Sequence, residues 1–151
     1  MVVKIAITLI VIAGFFSIGA GFQYLISTEF TSYHAEVVGK SWSEIESGIQ
    51  SIILGMLKIV GGGFIASGFS MLFLLVPLYR GELWAHGAIL VITSAMWAPT
   101  QYVTIALRIV APEAQTPVIP TAFIIGLVFV GVVLSFLARM SVKNIKGTAT
   151  T

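Results

Sequence analysis

Four apolar runs, each long enough to cross a hydrocarbon layer as a helix, decide what this chain can become. Spanning takes about 20 predominantly apolar residues at helical rise. The runs predict helices at about 5–26, 45–79, 84–110 and 121–138. None alternates with the two-residue period of an outer-membrane strand, and all are too long for one. Backbone groups in lipid must be paired inside their own segment, so the runs are read as helices. The expectation is an all-α membrane protein, a single four-transmembrane-helix bundle over residues 1–151.

Composition agrees: 58% of residues are hydrophobic and 9% charged, against about 25% charged in soluble domains. So few charges cannot cover a soluble surface, which excludes a soluble domain, a disordered chain and a nucleic-acid binder. The lipid bilayer is the expected partner. With no cysteine, disulfides, thiol chemistry and iron–sulfur ligation are ruled out. The first run, with Lys4 ahead and Gly19-Ala20 behind, has some features of a signal peptide. Its length, and Ile18 at the −3 position of a cut after Ala20, favour a retained helix.

Orientation is read from the basic residues. Four spans place both termini on one side, together with Lys4, Arg80, Arg139, Lys143 and Lys146. The other side holds Lys40, Lys58 and Arg108, and with them Glu29, Glu36, Glu44, Glu46 and Glu113. The richer side is expected to be cytoplasmic, which gives a multi-pass protein of a bacterial inner membrane with both termini cytoplasmic. A turn at Arg80–Leu83 makes a tight hairpin of the second and third spans. The connection 111–120 carries Pro112, Pro117 and Pro120 and reads as an extended cap. Residues 27–44 form a long outer loop, and 141–151 a polar, frayed cytoplasmic tail. Ser41 with Glu44, and Ser43 with Glu46, have capping-box spacing and predict that the second helix starts ahead of the membrane, near Trp42.

Helices in lipid associate through close backbone approach at small residues. Ala13, Ser17 and Gly21 make such a stripe, as do Gly62 with Ala66, Gly63 with Ser67, and Gly131 with Ser135. These serve packing within the bundle or a homo-oligomer face. Gly61-Gly62-Gly63 invites a bend, and Pro99 a kink, in their helices.

Ionisable residues inside a membrane are costly, and each is a candidate site. Lys58 lies about 9 Å into the second apolar run at helical rise; it either snorkels to the outer interface or pairs with a glutamate. Gln101, Thr104 and Arg108 share a face of the third span. With them, Gln23, Glu29, His34 and Lys58 project to the outer third of the bundle. The six residues Gln23, Glu29, His34, Lys58, Gln101 and Arg108 therefore make the candidate ligand-binding set, an outward-facing, partly polar cavity with aromatic walls. His86, beside Trp84, reads as an interfacial residue. One histidine among scattered glutamates falls short of a metal site, so no metal ligand is assigned. No catalytic residue or cofactor is assigned either: there is no phosphate-binding glycine loop, no His-Glu-x-x-His, no Gly-x-Ser-x-Gly and no haem ligand pair.

A first span ending Gly21-Phe22-Gln23-Tyr24, a long outer loop, a second span through Leu57-Lys58-Ile59-Val60-Gly61-Gly62-Gly63, a basic turn at Arg80 and a third span opening Trp84-Ala85-His86-Gly87-Ala88 follow in order. In this layout the chain resembles small bacterial four-helix membrane proteins of the DoxX-like kind. Some of that group are associated with quinone-linked oxidation of sulfur compounds. The resemblance implies an accessory or small-molecule-binding membrane subunit, with a lipid or quinone-like small molecule and a larger membrane complex as partners. A quinone-linked enzyme subunit and a homo-oligomeric transporter component are the alternatives.

Overall fold

The computed structural model describes residues 1–148, with side chains described as far as Ser141. The expected tail therefore falls partly outside the described residues. In chain order the elements are α1 (Val2–Ile26), α2 (Ser32–Val38), a 3-10 turn (Trp42–Glu44), α3 (Ser47–Arg80), α4 (Trp84–Val110) and α5 (Val118–Thr148). Four of these helices, α1, α3, α4 and α5, are long and apolar enough to cross a membrane. Their outward faces are apolar too: Ile59 is 78% exposed, Phe73 77% and Val91 69%. Side chains of that kind over a whole bundle are satisfied in lipid and not in water. The protein is a multi-pass membrane protein.

Around the bundle, α1 lies between α3 and α5, and α4 closes the ring against both. The α1/α3 contact is the tightest, and in it main chain meets main chain, with Ile18, Ile65 and Leu72 packed alongside. A Cβ on Gly21 would stand 2.6 Å from the Gly61 carbonyl, and one on Gly61 would stand 2.7 Å from the Gly21 carbonyl. One antiparallel turn-pair further on, a Cβ on Gly68 would stand 2.7 Å from the Gly14 carbonyl. The glycines recur at seven-residue spacing on both helices, the repeat of a left-handed antiparallel crossing. Of the two expected stripes on α3, Gly62 packs on nothing, since a Cβ there would meet no atom within 4 Å, while Gly63 packs on Met96 of α4 and Ser67 is buried. On α1 the expected stripe holds, with Ala13, Ser17 and Gly21 buried.

Gly131 of α5 comes against the Ala6 carbonyl and Ile10 of α1, so the start of α1 and the C-terminal half of α5 lie at one end of the bundle. At that end Gly81 turns the α3–α4 hairpin with a left-handed φ of 85°. Arg139 of α5 donates to the carbonyls of Leu78 and Tyr79 there, satisfying the last turn of α3. His86 corrects another expectation. It is 5% exposed, and its ring meets the Ser135 hydroxyl at 3.2 Å and the Leu83 carbonyl at 3.2 Å. Its place on the inward face with Ile89 and Thr93 outweighs its neighbour Trp84. Mid-bundle, the Trp97 indole N–H donates across to the Ser17 hydroxyl at 3.0 Å.

The boundaries depart from the sequence reading at three places. The outer loop is partly helical, because Thr31 and His34 form a capping box that starts α2, and Gly39, with φ 68°, ends it. The Ser41–Glu44 capping box exists, but it caps a separate 3-10 turn. Ile45 is extended after it, and α3 begins only at Ser47, with Glu46 as its N-cap. In turn, α5 begins at Val118, since Pro120 is tolerated in a first helical turn, and its backbone stays helical to Thr148. α4 runs unbroken through Pro99.

Candidate functional site

The bundle end away from the start of α1 is roofed by α2. Phe30, which leads into α2, is 7% exposed and packs edge-on against Trp42, with centroids 4.9 Å apart. The Gln50 side-chain amide donates to the Trp42 carbonyl at 2.7 Å and ties this roof to the start of α3. On the other side the Glu36 carboxylate accepts from the Gln115 backbone N–H at 2.6 Å, linking α2 to the α4–α5 connection.

An aromatic column stands beneath the roof. Trp97 of α4 meets Phe64 of α3 edge-on at 4.8 Å, and Phe64 stacks on Tyr24 of α1 at 5.9 Å. The Tyr24 hydroxyl lies 3.4 Å from that of Tyr33 in α2. Burial, and then the nearness of Tyr24, push the Tyr33 phenol far above its ordinary range, so it stays protonated.

Two cavities flank this column. The larger, of about 350 Å³, lies on the α1/α5 side and is lined by Phe16, Gln23, Trp97, Thr104, Gln115 and Thr121 among others. Two of its hydroxyls are fixed by Gln101 just behind the wall. The Thr121 hydroxyl donates to the Gln101 side-chain oxygen, and the Thr104 hydroxyl donates to the Gln101 carbonyl at 3.0 Å. The smaller, of about 280 Å³, lies between α3 and α4 and is lined by His34, Leu57, Val60, Pro99 and Val103 among others. Tyr24, Tyr33 and Phe64 belong to both and form the partition.

The six sequence candidates are distributed unevenly over this end. Gln23 lines the larger cavity and His34 the smaller. Gln101 holds Thr121 from behind. Glu29 lies with Gln23, Ser27 and Thr28 along a shallow polar surface depression. Lys58 lines neither cavity; its ammonium donates to the Leu25 carbonyl at 2.9 Å, at the C-terminal end of α1. There it meets an unpaired carbonyl and the negative pole of the helix. Arg108 donates to the Ala114 carbonyl at 2.5 Å and folds the α4–α5 connection.

Tyr33, Phe64 and Thr121 form the site and were not among those candidates. Thr31-x-x-His34 is the one sequence signal that would have located α2, since a histidine at the third position can replace the glutamate of a capping box. Among the described residues no three His, Asp or Glu side chains gather in one place. What the arrangement offers is aromatic surface with a few fixed hydroxyl and amide groups. Comparison with protein families, with curated proteins and with solved structures finds no match to this chain.

Proposed function

We propose that this protein binds a small amphipathic molecule, of lipid or quinone-like chemistry, beneath α2. The observation that carries the reading is the cavity of about 350 Å³ on the α1/α5 side. Its volume falls within the about 300–1,000 Å³ of small-molecule sites, and its walls combine aromatic rings with a few placed polar groups. Ring faces at Trp97 and Phe123 suit a flat or chain-like apolar body, and the Gln23 side-chain amide suits its polar atoms.

The distribution of lysine and arginine supports a bacterial inner membrane with both termini cytoplasmic, which turns the cavity outward. The resemblance to DoxX-like proteins supports the same role, that of an accessory subunit which holds a membrane-soluble molecule for a larger complex. Binding of decylubiquinone to the purified protein in lipid nanodiscs, followed by quenching of tryptophan fluorescence, tests the proposal. Saturable quenching that weakens about fivefold in Gln23→Leu is expected, the scale of one lost hydrogen bond. Quenching that rises linearly with concentration, as for partition into lipid alone, would refute it.

A further inference from the structure

The smaller cavity holds a hydrogen-bond donor that the fold does not use. The Thr31 backbone N–H donates to Nδ1 of His34 at 3.3 Å, and the Thr31 hydroxyl lies 2.9 Å from the same nitrogen. An amide N–H can only donate, so Nδ1 accepts and the ring proton sits on Nε2. His34 is thus a neutral imidazole whose Nε2–H has no partner among the described residues. The two threonine hydroxyls of that cavity are committed. Thr100 donates to the Met96 carbonyl at 2.8 Å and Thr104 donates to the Gln101 carbonyl, while the Tyr24–Tyr33 bond uses one of the two phenol protons and leaves the other beside His34.

The surroundings define what this donor can meet. No lysine, arginine or carboxylate lines the cavity, so an ionic head group has no counter-charge there. Its remaining walls are largely apolar, and two of them reach the lipid-facing surface: Val103 is 49% exposed and Val60 38%. The mouth therefore lies between α3 and α4, the most loosely packed of the neighbouring helix pairs.

We infer that the α3/α4 cavity is a second subsite, open sideways to the bilayer, where the His34 Nε2–H donates to an uncharged carbonyl of a lipid-soluble molecule. A quinone ring and an acyl ester share this chemistry. The inference rests on the binding role proposed above, and adds the residue that reads the ligand and the route by which it arrives.

Two substitutions isolate the donor. His34→Gln keeps a capping acceptor for Thr31 and retains an N–H donor, whereas His34→Glu keeps the cap and presents only acceptors. Val103→Trp leaves the cap untouched and fills the mouth. Nanodisc-embedded protein is titrated with decylubiquinone, and separately with monoolein as a competitor, which distinguishes a quinone from an ester source. For whichever probe binds, affinity should fall at least about tenfold in His34→Glu and in Val103→Trp, and stay within about threefold in His34→Gln. Equal losses in His34→Gln and His34→Glu would overturn the donor role. Wild-type affinity in His34→Glu and Val103→Trp, with a loss in Gln23→Leu, would overturn the subsite and leave the larger cavity as the binding place. Absence of saturable binding of either probe to the wild type would overturn both.

Discussion

Gly61→Ala tests the contact on which the bundle is built. A Cβ at this position would stand 2.7 Å from the Gly21 carbonyl oxygen, 3.0 Å from the Leu25 nitrogen and 3.1 Å from the Tyr24 Cβ. Ordinary contact begins near 3.4 Å, so α1 and α3 must separate by about 0.7 Å at this level. The opposing atoms are mostly backbone and cannot rotate aside. Overpacking of this kind costs about 1–3 kcal/mol, while replacing a helical glycine by alanine returns up to about 1 kcal/mol. Gly62→Ala is the matched control, because nothing lies within 4 Å of its added Cβ and it carries only the favourable part. The difference between the variants is then about 1–3 kcal/mol, or a Tm for Gly61→Ala lower by about 3–10 °C. Thermal unfolding of both in one mild detergent, followed by circular dichroism, reads it directly. Coincident Tm values would refute the glycine crossing as the source of α1/α3 cohesion.

Other outcomes follow from single contacts. Lys58→Met removes the donor to Leu25 and should cost about 0.5–1 kcal/mol of stability, recovered in Lys58→Arg and measurable in the same melts. Trp97→Phe orphans the Ser17 hydroxyl and should cost about 1 kcal/mol, with the Ser17→Ala, Trp97→Phe double variant recovering most of it in a double-mutant cycle. Burial lowers the His34 pKa below that of the free ring, so the undocked segment takes up a proton first as pH falls. Docking of α2 is therefore strongest above the ordinary imidazole pKa and weakens as pH falls through it. Limited proteolysis between Thr31 and Trp42 should quicken from about pH 7.5 to about pH 5.5 in the wild type and change less in His34→Gln.

The membrane class and the four long helices were legible because length and apolarity alone decide them. The tight hairpin at Gly81 was legible for a similar local reason, with only a few residues between two apolar runs. Which glycines meet was not. Gly61, Gly62 and Gly63 are chemically identical, and only the register against Gly14 and Gly21 selects the first. The helix α2 is too short for periodicity to mark it, and it forms through one local cap and its docking on the bundle. Lys58 stood out as a charge in an apolar run, but its partner is a main-chain carbonyl, and carbonyls leave no mark in a sequence. The aromatic column was hidden for the opposite reason. Tyr24, Phe64 and Trp97 belong to different spans, and nothing short of the packed bundle brings them together.

The glycine crossing also sets where the molecule yields. Where main chain meets main chain there are few rotamers to exchange, so the α1/α3 crossing resists deformation more than the side-chain-filled α3/α4 contact. On the far side of α3 the gap to α4 is bridged over Gly63 by Met96, the most adaptable of apolar side chains. The packing therefore favours displacement of α4 over a parting of α1 from α3, because the Met96 thioether can follow a shift that the glycine crossing cannot.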